Sequence, residues 1–175
     1  MELHNVKKDN ITTLKPLQVT FDTVYPNASK LIQKFEGLSL KGYICSGNVA
    51  TIGWGNTSLL KEKNIKTKDE AKKVIITKAE AEQLFEKDFK KFFNEVLLLV
   101  KDFNLNPNQV GALISFAFNL GTQALAKSTL LKRIQENPNN LKEIENEFLK
   151  WVNAGGKKLN GLVKRRKEEF NLYCQ

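Results

Sequence analysis

The spacing of apolar and polar residues changes along this chain, and each change predicts a different element. Residues 1–24 show no clear period, and only "QVTF" at 18–21 has the composition of a strand. After Asn27, a suitable N-cap, apolar residues at helical spacing predict a short helix that ends at Gly37. Glu36 is then the last residue of this helix.

A small antiparallel sheet is predicted by the segment after this helix, residues 38–57. Its sequence, "LSLKGYICSGNVATIGWGNT", has short runs rich in Tyr, Ile, Val, Thr and Trp, separated by four glycines. Such runs between tight turns are typical of a hairpin, and "SGN" is suited to its tip. The acid at the helix end is therefore expected to face a compact sheet.

The remainder of the chain has the period of helices. Thr77 and Glu80 form a capping box, and the apolar positions after them predict one helix to Val100, about 35 Å long at 1.5 Å per residue. Asn106 is predicted to cap a helix that stops at Gly121. Three more helices are predicted at "TLLKRIQEN", "LKEIENEFLKWV" and "LVKRRKEEFNLY", with "NAGGKKLNG" as a loop.

These elements predict an α+β protein that is mainly helical and has two lobes. A chain of 175 residues is long enough for one compact domain. We expect an N-terminal extension of unknown role at 1–24 and one domain at 25–175, divided into a sheet-bearing lobe at about 25–76, a connecting helix at about 77–100 and a helical lobe at about 101–175. Extended substrates usually bind in clefts, so Glu36 is expected to line a cleft between the lobes.

Composition narrows the class of protein without identifying it. A hydrophobic content of 41% with 27% charged residues is ordinary for a folded, water-soluble domain. The net charge of +9 favours encounters with polyanions, whether nucleic acid, anionic lipid or anionic cell-wall polymer. Two cysteines and one histidine predict neither a disulfide scaffold nor a metal site, and whether Cys45 and Cys174 ever pair stays open.

The N-terminal sequence lacks the apolar block of a signal peptide. The longest apolar run, "VLLLV", is far shorter than the roughly 20 residues needed to span a bilayer. We therefore expect a protein made in the cytoplasm without a signal peptide.

Three residues of the helix and sheet could carry chemistry. A buried Glu36 could act as a general acid, although taken alone a glutamate in a lysine-rich chain more often forms a salt bridge. Cys45 could be a small buried side chain or a reactive thiol. Thr51 could be structural or could hold a water or a substrate oxygen.

The spacing of these residues resembles that of the bacteriophage-type lysozymes, glycoside hydrolase family 24. Eight residues separate Glu36 from Cys45, and five separate Cys45 from Thr51. Further blocks in the family's order are "FEGLSL", "TIGWG", "ALISFAFNLG", "STLL" and "FLKWVNAGGKKLNGLVKRR". Together they span roughly residues 28 to 170.

The resemblance implies a lysozyme-like fold and a muramidase. Such an enzyme hydrolyses the β-1,4 bond between N-acetylmuramic acid and N-acetylglucosamine in peptidoglycan, needs no cofactor, and lyses bacteria. By motif position Glu36 is the general acid, Cys45 stands where the family has Asp or Cys, and Thr51 is the third catalytic residue. Three further residues are implied to contact the sugar chain: Thr57, Phe118 and Thr129.

The sequence departs from the commonest family pattern at three positions. Trp54 stands where Tyr is usual, and Asn56 replaces a His, which removes an expected structural ion pair. Cys45 replaces the second carboxyl that glycosidases usually have. The thiolate could attack the sugar directly, or the thiol could help Thr51 hold the attacking water, and we favour the second role.

The leading interpretation is an endolysin-like, monomeric enzyme that acts on the cell wall after release, with a holin as a partner. One alternative is a non-catalytic peptidoglycan-binding protein on the same fold. Another is a basic nucleic-acid-binding domain, suggested by "KRRK" at 164–167, although no recognised nucleic-acid-binding motif accompanies it. We expect no nucleic acid as a partner, and expect Arg165 or Arg166 to brace the cleft or to pack against an acid of the other lobe.

Overall fold

Nine helices and four strands make up the part of the chain that the computed structural model describes, residues 18–45 and 47–175. The elements are α1 (Phe21–Glu36), β1 (Ser39–Ile44), β2 (Ala50–Gly53), α2 (Ser58–Glu62), α3 (Lys68–Lys73), α4 (Lys78–Val100), α5 (Pro107–Leu120), α6 (Thr122–Ala126), α7 (Thr129–Glu136), α8 (Leu141–Leu149), β3 (Asn153–Ala154), β4 (Lys157–Lys158) and α9 (Asn160–Tyr173). The predicted class, mainly helical α+β with a small antiparallel sheet, is confirmed.

The first helix begins earlier than the sequence pattern predicts. Thr20 is its N-cap and forms a capping box with Thr23, so the predicted start after Asn27 and the predicted strand at 18–21 are wrong. Pro26 lies inside the helix and misleads the prediction, since proline usually marks a helix start or break. Residues 1–17, most of the predicted N-terminal extension, lie outside the described part of the chain.

Aromatic packing explains why α1 extends past its proline. The Phe21 ring lies 5.7 Å from Phe89 and 5.6 Å from Phe93, both edge-on. The Tyr25 ring lies 4.9 Å from Phe89. Burying these rings stabilises the first turns of α1 against α4, because each large apolar side chain contributes about 1.5–3 kcal/mol when buried.

The predicted hairpin is present as β1 and β2. The strands pair antiparallel, with Tyr43 opposite Thr51 and Ile44 opposite Ala50. Ser46, in the predicted tip, lies outside the described residues. Near the middle of β1, the Gly42 N–H donates to the Val74 carbonyl at 3.0 Å, which ties the hairpin to the segment after α3.

Helix α4 is the predicted connecting helix. Thr77 caps it in a capping box with Glu80, and it runs for 23 residues to Val100. Its buried face includes Phe85, Phe89 and Phe93. This face packs against β2 at one end and against α5 further along, so one helix joins the sheet to the helical part of the molecule.

Helix α5 is the centre of the helical lobe. It begins after Asn106 and ends at Gly121, both as predicted, and is buried throughout its middle. A β-carbon at Gly111 would lie only 3.1 Å from Cβ of Ala28, so the glycine lets α1 approach closely. Helix α5 also packs against α9, and these contacts bring the end of α1 close to α9.

The C-terminal third contains two elements that the sequence pattern does not predict, the short helix α6 and a short hairpin. Ser128 caps α7 as expected. The predicted loop "NAGGKKLNG" contains a two-residue hairpin, β3 and β4, which turns at Gly155 and Gly156 with φ of 57° and 74°. Within residues 18–45 and 47–175, no helix is both long and apolar enough to cross a membrane.

Candidate functional site

Glu36 is the last residue of α1. One of its carboxylate oxygens accepts a hydrogen bond, and the other lies near Gly55, just after β2. Arg165 Nη1 donates to Oε1 at 2.6 Å, and the Glu36 side chain is 21% exposed. A β-carbon at Gly55 would lie 3.4 Å from Oε2. No other atom of the described residues would lie within 4 Å of that β-carbon apart from Glu36 and the chain neighbours of Gly55, so in this part of the chain the space beside Oε2 is open.

Arg165 reaches Glu36 from α9 and is itself fixed by buried partners. Its Nε donates to Oε1 of Glu169 at 3.2 Å, and its Nη2 donates to the Ser115 carbonyl at 3.1 Å. Its guanidinium carbon also lies 5.7 Å from the centre of the Phe35 ring. The expectation that one of the two neighbouring arginines packs against an acid from the N-terminal part of the chain is confirmed.

A second arginine completes a buried charge cluster behind the site. Arg166 is fully buried, and its Nε lies 2.9 Å from Oε2 of the equally buried Glu169. Its Nη2 donates to Oδ1 of Asn119 at 2.9 Å. Burial lowers the pKa of Arg166 to about 10, so the guanidinium stays charged near neutral pH. Because Arg165 and Arg166 are both buried against acids, neither is available to contact nucleic-acid phosphates.

Cys45 follows β1 in a hairpin whose backbone favours the thiolate. The Cys45 N–H donates to the Val49 carbonyl, and the Cys45 carbonyl accepts from the Asn48 N–H, both at 2.9 Å. Hydrogen bonds from the backbone of Val49 lower the pKa of the Cys45 thiol, and the backbone of Gly47 and the side chain of Thr51 contribute in the same direction. Such a thiol ionises more readily than a free cysteine.

Thr51 lies on β2 with its hydroxyl between two acceptors. The side chain is buried, and Oγ1 donates to the Val49 carbonyl at 3.0 Å. The same side chain also contributes to the lowered pKa of the Cys45 thiol, as a hydrogen-bond donor to the thiolate. A hydroxyl has one proton, so Thr51 can donate to the carbonyl or to the thiolate, but not to both at once.

Tyr43 lies opposite Thr51 in the hairpin, and the sequence pattern did not single it out. Burial raises the pKa of its phenol, and the charges of Cys45 and Glu36 raise it further. The phenol therefore keeps its proton near neutral pH and can donate a hydrogen bond. The missed signal is strand periodicity, because residues two apart on a strand share a face and Tyr43 precedes Cys45 by two positions.

The three predicted sugar contacts lie in different places. Thr57 is exposed at the start of α2 and lines an open groove of about 750 Å³. Phe118 is half-buried on α5, with its ring 5.7 Å from Phe85 and 5.0 Å from Phe92. Thr129 is exposed at the start of α7.

The structure thus brings some predicted site residues together and leaves others apart. Tyr43 lies opposite Thr51 across the hairpin, and the charges of Cys45 and Glu36 both raise the pKa of its phenol. Among the described residues, neither a hydrogen bond nor a ring contact joins Phe118 or Thr129 to Glu36. The roles of all six residues remain predictions.

Asn56 and Trp54, which differ from the commonest residues of the family at their positions, both stabilise the sheet. The Asn56 Nδ2 donates to Oδ2 of Asp88 at 2.8 Å, while its Oδ1 accepts from the Leu59 N–H at 3.0 Å. The link to α4 that an ion pair would supply is therefore made by a hydrogen bond. Trp54 is buried, with its ring 5.7 Å from Phe85.

Comparison with known proteins agrees with the fold. The phage lysozyme family model matches residues 33–169. The endolysin of Bacillus phage B103 is 39% identical over 145 residues, which cover 82% of this chain and 51% of that protein. The endolysin of Salmonella phage P22 is 32% identical over 147 residues, covering 84% and 94%. The chain thus spans about half the length of its Bacillus phage relatives.

Solved structures share the architecture. An endolysin from Escherichia coli O157:H7 phage FAHEc1 superposes with a TM-score of 0.70 at 30% identity, covering 90% of this chain and 93% of that one. The muramidase domain of SpmX from Asticaccaulis excentricus also gives 0.70, at 26% identity, covering 91% and 99%. The lysozyme-like fold predicted from the sequence is confirmed.

Proposed function

Because this chain belongs to the phage lysozyme family, we propose that it is a muramidase that cleaves the β-1,4 bond between N-acetylmuramic acid and N-acetylglucosamine in peptidoglycan. The observation that carries this proposal is the geometry of Glu36. Its Oε1 is fixed by Arg165 while Oε2 faces the open space beside Gly55. The phage endolysins and the muramidase domain that it resembles support the same function.

In this mechanism Glu36 is the general acid. This role requires the proton to be on Oε2, since Oε1 accepts the hydrogen bond from Arg165. Oε2 delivers the proton to the glycosidic oxygen as the bond to the leaving sugar breaks. Arg165 keeps the carboxyl in one orientation, because it is itself held by Glu169 and by the Ser115 carbonyl.

Cys45 and Thr51 hold the attacking water. The lowered pKa of the Cys45 thiol, to which the Thr51 side chain contributes, supports this role. A thiolate accepts a hydrogen bond from the water and takes its proton as the water oxygen attacks, and the Thr51 oxygen accepts another hydrogen bond when its own proton points to Val49. Water attack inverts the anomeric configuration, so a first product with retained configuration would instead support direct attack by the sulfur.

A second candidate is a peptidoglycan-binding protein without activity. Cys45 favours it, because a second carboxyl is missing from the position where many glycosidases have one. The two candidates share a ligand and differ only in turnover.

Lysis of permeabilised Gram-negative cells distinguishes them. We expect Glu36→Gln to reduce the rate of turbidity loss by about 10²- to 10⁴-fold, the usual contribution of a general acid, and Cys45→Ala to reduce it as well. Glu62→Gln, which changes an exposed acid on α2, is the control and should stay active. Wild-type protein that binds walls without lysing them supports the binding protein.

The cellular setting follows from the same proposal. We infer that the protein acts on the cell wall as a monomer after release by a partner such as a holin. The net charge of +9 favours its attraction to an anionic wall. Thr57, Phe118 and Thr129 are proposed to contact the glycan strand.

A further inference from the structure

An open groove of about 750 Å³ adjoins the hairpin that holds Cys45. Val49 and Thr57 both line it. The Val49 carbonyl accepts hydrogen bonds from the Cys45 N–H and from the Thr51 hydroxyl. The groove therefore shares Val49 with the proposed catalytic residues and Thr57 with the proposed sugar contacts, so it adjoins the proposed cleavage site.

Two strained asparagines line this groove. Asn48 has φ of 58° and Asn64 has φ of 54°, and they are the two non-glycine residues with positive φ in the described part of the chain. Glycine adopts this conformation most easily, while asparagine tolerates it and keeps an amide. Strained residues of this kind cluster at functional sites.

The local turns do not need the asparagine side chains. The Asn48 N–H donates to the Cys45 carbonyl, and the Asn64 N–H donates to the Lys61 carbonyl, both at 2.9 Å. These are backbone contacts, which glycine would make equally well. Neither side-chain amide hydrogen-bonds to another residue of the described ranges, so both are available to a ligand in the groove.

The charge of the groove is positive. Lys61 and Lys66 line it, and neither ammonium forms an ion pair within residues 18–45 and 47–175. Glu70 lies close in sequence, but its carboxylate accepts from the backbone N–H groups of Lys66 and Thr67, at 3.1 and 3.0 Å. Two ammonium groups with two amides suit a ligand that carries both carboxylates and peptide groups.

We propose that this groove binds the acidic peptide attached to N-acetylmuramic acid. Lys61 and Lys66 face its carboxylates, and Asn48 and Asn64 hydrogen-bond its peptide groups. This inference rests on the proposed muramidase function, since the sugar that carries the peptide must lie at the site beside Val49. A wall polymer rich in phosphate would also attract the lysines, but it has no peptide groups for the two amides.

Binding of two soluble ligands tests the groove. The ligands are the wall disaccharide with its peptide and the same disaccharide without it, measured by calorimetry on a Glu36→Gln background that prevents turnover. We expect the double change Lys61→Gln and Lys66→Gln to weaken binding of the peptide-bearing ligand about five- to tenfold, as two partly exposed ion pairs would. Binding of the peptide-free disaccharide should not change.

A charge-matched control separates the groove from the overall charge. Lys63→Gln with Lys68→Gln removes the same charge from exposed residues outside the groove, and should leave both affinities unchanged. An equal loss for both ligands, an equal loss in the control, or no loss at all overturns the proposal. A larger loss for a soluble phosphate polymer than for the disaccharide-peptide also overturns it.

The asparagines provide a test that does not depend on charge. Asn48→Gly and Asn64→Gly relieve the positive φ, so we expect thermal stability to be maintained or raised while the affinity for the peptide-bearing ligand falls. A stable double variant with unchanged affinity contradicts the role of the amides. Because binding is measured without turnover, an inactive wild type would overturn the muramidase proposal while the groove is still judged by its ligands.

Discussion

Cys45 and Cys174 have environments that shift their thiol pKa in opposite directions. The backbone of Val49 lowers the pKa of Cys45, whereas burial, and then the charge of Glu145, raise the pKa of Cys174. Because the thiolate is the species that reacts, we expect iodoacetamide to label Cys45 first, and at lower pH. Peptide mass spectrometry over time measures both rates, and faster labelling of Cys174 would contradict the assignment.

Labelling also tests the chemical role of Cys45. We expect lysis to fall in proportion to the fraction of Cys45 alkylated, because the bulky group displaces the proposed water. A Cys174→Ser variant removes the second thiol and is the control. Full labelling of Cys45 with lysis unchanged would exclude a catalytic role for the sulfur.

Asp88 gives a pH dependence of stability with a definite sign. Burial raises the pKa of Asp88, so over a range above its ordinary value of about 3.9 the folded state keeps a proton that the unfolded state releases. This contribution is fully present below the unfolded pKa and is lost as the pH rises through the folded pKa.

The variant Asp88→Asn removes this titration and can still accept a hydrogen bond from Asn56. The stability of the variant relative to wild type should therefore rise from acidic to neutral pH. Chemical denaturation of both proteins across this range measures the difference in unfolding free energy. A difference independent of pH would contradict the raised pKa of Asp88.

At the scale of single residues, the sequence could predict which residues belong to the candidate site but not which other residues each of them contacts. The spacing of Glu36, Cys45 and Thr51 carries the resemblance on which their roles were assigned. The neighbours of Glu36 in sequence are uncharged, and nothing local shows that Arg165 would hold it at 2.6 Å. That contact depends on the packing of α1, α5 and α9, which a single sequence without its fold cannot show.

At the scale of elements, Gly42 allows β1 to approach α3 closely, because it has no side chain. A β-carbon there would lie 2.4 Å from the Ala71 carbonyl oxygen, which the backbone cannot accommodate without moving. We expect Gly42→Ala to destabilise the protein by about 1–3 kcal/mol, the usual cost of overpacking. Thermal or denaturant unfolding measures it.

The matched control is Gly161→Ala in α9. Within residues 18–45 and 47–175, no atom outside the helix itself would lie within 4 Å of the added β-carbon at that position, and alanine favours a helix over glycine by about 0.5–1 kcal/mol. This variant should be slightly more stable than wild type. Equal changes in the free energy of unfolding for the two substitutions would show that the close approach at Gly42 does not affect stability.

Elements were predicted best where local signals and tertiary packing agree. The capping box of α4 and the N-cap of α5 lie where the sequence indicates. The start of α1 was missed, because aromatic contacts with α4 outweigh the break that Pro26 suggests. The short helices α2, α3 and α6 were not predicted, since helices of five or six residues have too few turns to show a period.

At the scale of the whole molecule, one continuous apolar core runs through both lobes. It includes Ile52 of the sheet, Phe85 of the connecting helix and Phe148 of the helical lobe. The two tryptophans report on different parts of it. Trp54 packs against Phe85, and Trp151 lies 5.3 Å from Phe116.

We expect the two lobes to unfold together, because they share this core. Single-tryptophan variants, Trp54→Phe and Trp151→Phe, let fluorescence follow each lobe separately during denaturation. The midpoint of each fluorescence transition should match that of the helical signal in the same variant. A sheet that unfolds before the helical lobe would contradict this expectation and would show that α4 does not couple them.

The contact between Glu36 and Arg165 also determines when the site can form during protein synthesis. The two residues are 129 positions apart. At about 5–20 residues per second, a ribosome adds Arg165 roughly ten seconds after Glu36. The Glu36 carboxylate on α1 therefore lacks its Arg165 partner until α9 has been synthesised and has packed against the rest of the protein. A nascent or truncated chain that lacks α9 should contain every proposed catalytic residue and still be inert.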